Sequence, residues 1–93
     1  MIDVARKICN AGETTIFSFQ TTSVAYCVKN FTQSPVLVCL GKWDDSQSIK
    51  IGAGMWQCVK SNPNPKEGMT RAATAVVLVQ AEADGEVEVQ RDD

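Results

Sequence analysis

VAYCVKNFTQSPVLVCLGKWDDSQSIKIGAGMWQCV, residues 24–59, holds both tryptophans and the most strongly patterned turn of the chain. It breaks into four short apolar segments, each closed by a turn signal. Residues 24–30 alternate, with Val24, Tyr26 and Val28 on one face and Ala25, Cys27 and Lys29 on the other. That period of two is what a half-buried strand requires. Residues 35–40, PVLVCL, are nearly all apolar, as in a strand covered on both faces by a second sheet or a partner subunit. Pro35 suits the first position of such a strand. Residues 48–51 read as a short strand with Ile49 and Ile51 inward. Gly52-Ala53-Gly54 then supplies a tight turn or bulge. Residues 55–60 form the next strand, with Trp56 and Cys58 on one side and Met55, Gln57 and Val59 on the other.

Outward from this stretch the pattern continues. Residues 14–20, TTIFSFQ, are β-branched and aromatic, and Ile16 and Phe17 point to opposite faces, so both faces are expected to be covered. Residues 74–81, TAVVLVQA, are the strongest strand in the chain. Residues 82–85, EADG, give a hairpin signal, followed by alternation over 85–90 with Val87 and Val89 inward and Glu86, Glu88 and Gln90 outward. The acidic residues on that outer face suit a strand that must resist edge-to-edge pairing. At the N-terminus, Ile2, Ala5, Ile8 and Cys9 share a helical face, with Gly12 placed as a helix C′ residue. Residues 1–12 therefore read either as a short helix or as an extended arm. Residues 61–68, SNPNPKEG, cannot join a sheet interior and form an exposed loop around Pro63 and Pro65. About seven short strands at roughly ten-residue spacing predict an all-β chain: one antiparallel β-sandwich or jelly-roll-like domain over residues 1–93. No internal repeat and no second domain are visible.

Composition narrows the function classes. The net charge is −2 and histidine is absent, which argues against a dedicated nucleic-acid binder with its basic face. Residues 1–60 carry six Lys/Arg against four Asp/Glu, and residues 61–93 carry three against seven. That asymmetry either serves head-to-tail contacts between copies or keeps the C-terminal strands solvated. The N-terminus lacks the apolar core of a secretory signal, and no apolar run approaches the roughly 20 residues of a membrane span. The cysteines, Cys9, Cys27, Cys39 and Cys58, include no C-x-x-C pair. A zinc site is poorly supported, and buried free thiols are the first expectation, ahead of a disulfide.

Catalytic constellations are missing by type. Without histidine the usual serine and cysteine triads are unavailable. Cys9 has cationic sequence neighbours in Arg6 and Lys7, and a structural role is still expected for it. Asp44-Asp45 lacks the alternating oxygens of a calcium loop and reads as a turn whose side chains bond locally. An acid pair such as Asp44 and Asp84 has no favourable spacing. Trp43 and Trp56 with Tyr26 are the candidate contact residues, as a stacking platform for a sugar or a partner chain. Trp56 is expected in the core, and Trp43, beside the acidic loop, at least partly exposed.

The order VKN (28–30), SPVLV (34–38), KWDDSQ (42–47), IKIGAGMWQCV (49–59) and a closing GEVEVQ (85–90) resembles that of small phage-encoded structural proteins. The quoted segments fall between residues 28 and 90, and the N-terminal arm and the proline loop lie outside the resemblance. It implies a virion or prophage accessory protein, such as a head-decoration or head-fibre component. Such a protein is not an enzyme, needs no cofactor or metal, and sits in the virion or host cytoplasm. Its partners would be copies of itself and a capsid or other particle protein, with neither nucleic acid nor membrane involved. Read from the residues themselves, the candidate interface or ligand contacts are Tyr26, Trp43, Asp44, Asp45, Trp56, Pro63 and Pro65. The alternative reading is a small carbohydrate- or ligand-binding module built on Trp43, Trp56 and Tyr26.

Overall fold

A computed structural model describes residues 4–21, 25–60 and 73–92. Eight strands run through them: β1 (Val4–Cys9), β2 (Thr14–Thr21), β3 (Ala25–Asn30), β4 (Val36–Leu40), β5 (Ile49–Ile51), β6 (Trp56–Lys60), β7 (Ala73–Ala81) and β8 (Gly85–Arg91). One 3-10 turn, Asp45–Gln47, lies between β4 and β5. The strands build two four-stranded antiparallel sheets, ordered β1-β8-β3-β6 and β2-β7-β4-β5. The pairing is nested: β1 with β8, β2 with β7, β3 with β6, and β4 with β5. A long hairpin rolled up on itself gives this order, and it is a jelly roll.

Seven of the strands lie where the alternation predicts them, within a residue or two at each end. The eighth corrects the N-terminal expectation, because residues 4–9 are neither helix nor free arm. They form β1, paired over six positions with β8. The apolar residues there fit both periods, and pairing with β8 selects the strand. Residues 82–84 are corrected too. They do not close a hairpin but carry the chain from β7 in one sheet to β8 in the other. β8 is consequently an inner strand, and its acidic residues guard no edge.

The core fills the space between the sheets. Tyr26, Val28, Val59, Val87, Val89 and Cys9 meet Phe17, Phe19, Val36, Val38, Ile51, Val77 and Val79. Phe19 and Tyr26 stack across the gap with ring centroids 5.2 Å apart. Each such side chain contributes about 1.5–3 kcal/mol by leaving water. Burial pushes the Cys9 thiol above its ordinary pKa. β2 is covered on one face only: Phe17 is buried while Ile16 is exposed. In β4, Val36 and Val38 are fully buried, Leu37 is half-buried, and Cys39 is buried with its thiol against the Asp44 carbonyl.

Two local devices hold the sandwich's ends. The side chain of Asn30 donates to the carbonyls of Ser34, Ile51 and Gly52 and accepts from the backbone and hydroxyl of Thr32. A buried amide with this many partners fixes the turn into β4 and ties it to the end of β5. At Gly85 a Cβ would lie 2.7 Å from Thr32 Cγ2, so only glycine admits this approach of β8 to the turn. On the open side between β1 and β2, Lys7 points inward from an edge strand. Its Nζ donates to the Ile16 carbonyl at 2.6 Å and lies over the Phe17 ring. An inward charge of this kind blunts an edge against further pairing.

Candidate contact surface

The outer face of the β1-β8-β3-β6 sheet is laid out in rows by the register. One row crosses all four strands as Arg6, Glu88, Lys29 and Trp56. The next crosses as Val4, Gln90, Cys27 and Cys58. A third pairs Ile8 with Glu86, and Phe31 lies beside them with its backbone N–H on the Glu86 carbonyl. Ile8 is 64 % exposed and Trp56 62 %, and Val4 and Phe31 are also exposed. Four large apolar side chains therefore stand open on one face of one sheet.

The charges among them are already matched. Arg6 binds Glu88 at 2.8 Å and Glu86 at 2.9 Å, and Lys29 reaches Glu88 at 3.5 Å. The Arg6 guanidinium also lies over the Phe31 ring, 5.1 Å from its centroid. The hydrogen bond from Arg6 is the main reason that the Glu88 carboxyl is held below its ordinary pKa. Glu88 is buried beneath its two cationic neighbours, although it points to the outside of the sheet. A surface whose ions neutralise one another loses less on desolvation than one of unpaired charges.

The other outer face is less inviting. Ile16 is exposed there, Leu37, Val76 and Leu78 are half-buried, and the loop at Asp44 covers Cys39. No aromatic ring of the described strands stands on it.

The residues singled out from the sequence do not converge. Tyr26 is a core residue, so the three-ring platform has no place for it. Trp56, expected in the core, stands on the outer face at the edge strand β6. Trp43 is half-buried in the connection after β4, its Nε1 donating to Asp45 at 2.7 Å. Asp44 caps the 3-10 turn by accepting from the backbone and hydroxyl of Ser46. Asp84 accepts from the Ala11 N–H at 2.7 Å. These carboxylates are turn-builders, as Asx side chains commonly are. Pro63 and Pro65 lie outside the described residues.

Two of the cysteines depart from the expectation of buried free thiols and two meet it. Cys27 and Cys58 face one another across β3 and β6 and form a disulfide, while Cys9 and Cys39 are free and buried. In each strand the cysteine sits on the face opposite the core residue next to it, so its pattern as a small hydrophobe was misleading. The pairing signal was the shared face, visible only once β3 and β6 are known to be neighbours. Sequence reading also missed Arg6, Ile8 and Phe31, because nothing local shows that β1 lies beside β8.

Compared with known protein families, curated proteins and solved structures, the chain matches none. Among the described residues no helix is long and apolar enough to cross a membrane.

Proposed function

We propose that this chain is a non-enzymatic structural protein of a phage or prophage particle, working through protein–protein contacts. Its contact surface is the outer face of the β1-β8-β3-β6 sheet. The observation that carries the reading is the exposed Trp56 at the end of a charge-matched row, with Ile8, Val4 and Phe31 around it. Tryptophan is enriched among the residues that anchor protein interfaces, and paired ions beside it limit the cost of excluding water. The partners are copies of the same chain and a capsid or other particle protein, in a virion or the host cytoplasm.

The particle assignment draws on two further supports. The resemblance over residues 28–59 and 85–90 points to phage structural proteins. The nested strand order is one that viral capsid domains use, and lectins share it, so the fold alone does not choose. The carbohydrate reading is weakened by the loss of Tyr26 to the core. Light scattering after gel filtration, at two concentrations, tests the proposal. A mass that rises to a small multiple of the chain supports it, and a strict monomer with no affinity for particle proteins contradicts it.

A further inference from the structure

The Cys27–Cys58 pair and Asp92 form a cluster on the same outer face, around one recess with Trp56 and Phe31. The two cysteines stand directly opposite one another on the outer face of the sheet. The Asn30 N–H bonds the Met55 carbonyl, and counting back along the ladder puts Cys27 and Cys58 at a non-hydrogen-bonded pair, where side chains lie closest. Beyond β8 the Asp92 N–H donates to the Ala25 carbonyl at 3.0 Å, which brings its side chain over the same pair. A carboxylate oxygen of Asp92 lies within 4.8 Å of both sulfurs, which are bonded to one another and must separate on reduction to reach ligand spacing. Ligand atoms around one tetrahedral zinc lie roughly 3.5–3.8 Å apart, as bond lengths of about 2.3 Å to sulfur and 2.0 Å to oxygen require.

We propose that reduction of this disulfide opens a binding site for a thiophilic divalent cation of the zinc class, with Cys27, Cys58 and Asp92 as its protein ligands. A dithiol reductant supplies two electrons and two protons, becomes a disulfide itself, and leaves two thiols on the protein. The cation then displaces those two protons to bind both thiolates. Two sulfurs and one oxygen leave the fourth position to water. In the unassociated chain Cys58 is exposed on the edge strand, so reductant and ion reach it without opening the sandwich. Lys29 and Arg91 line the adjoining recess. Their positive charge partly offsets the net negative charge of a cation held by three anionic ligands. The oxidised and metal-bound forms exclude one another, so the disulfide gates the site.

The test uses the full chain, reduced with a phosphine without oxygen and titrated with Co2+ as the spectroscopic probe. The expected result is a thiolate-to-cobalt charge-transfer band saturating at one ion per chain and bleached by Zn2+. The oxidised protein and Cys58→Ser give no band, and Asp92→Asn binds at least about tenfold more weakly, the lower bound for losing even an outer-shell partner. A band that survives in Cys58→Ser, an unchanged affinity in Asp92→Asn, or no band in the folded reduced chain overturns the proposal. So does a reduced chain that unfolds and is not refolded by the ion.

Discussion

The side-chain amide of Asn30 donates to the carbonyl of Ile51 at 3.1 Å, and that bond joins the two sheets. Asn30 ends β3 and Ile51 ends β5. The same nitrogen serves Ser34 and Gly52, and the side-chain oxygen serves Thr32. Asn30→Asp keeps the shape but removes every side-chain donor and sets a buried carboxylate against carbonyls. The expected cost is about 3 kcal/mol, the penalty for leaving buried polar groups unsatisfied. Urea unfolding measures it, and a midpoint equal to the wild type would show the node to be idle.

Gly85 is constrained by the same turn. A methyl group there meets the side chain and backbone of Thr32 at 2.7–3.0 Å, with β8 unable to withdraw from between β1 and β3. Gly85→Ala should lose about 1–3 kcal/mol, as overpacking does. Thermal unfolding of the variant checks this.

Much of this architecture was legible in the sequence. The alternation at Tyr26 and Val28, and at Val87 and Val89, sets those strands and their buried faces, because the period of a strand is local. Gly54, with φ +71°, occupies the turn that the two glycines announce. What could not be read was non-local. Ile8 looks as helical as it looks extended until β8 is placed beside it. Trp56 and Cys58 share a face correctly, but whether that face meets core or solvent depends on which sheet lies above. Asn30 reads as a turn residue, and its role between sheets needs Ile51 and Gly52 to be brought to it.

The ion cluster gives stability a pH dependence. The Glu88 carboxyl lies below its ordinary value of 4.5, chiefly through the Arg6 hydrogen bond. A lowered carboxyl pKa contributes stability that is complete above the unfolded value. It is lost as pH falls through the lower folded value. Glu88→Gln should therefore be less stable than wild type at about pH 7, with the difference closing in acid. Chemical unfolding at several pH values tests it, and a gap constant with pH would contradict it.

The Cys27–Cys58 bond closes a loop across a sequence separation of 31. Loop-closure entropy assigns such a crosslink about 3–4 kcal/mol. Reduction, or Cys58→Ser, should lower the unfolding midpoint by a matching amount. Cys39→Ser, at a buried free thiol, should leave sensitivity to reductant unchanged.

If the outer face of the β1-β8-β3-β6 sheet is the contact surface proposed above, Trp56 is its anchor. The most direct measurement is the solution mass of the wild type and of Trp56→Lys across the same concentration range. The side chain is exposed, so folding should survive the change, as far-UV circular dichroism would confirm. The wild type should associate as concentration rises, and the variant should stay at the single-chain mass. Two identical curves, whether both monomeric or both associated, would contradict it.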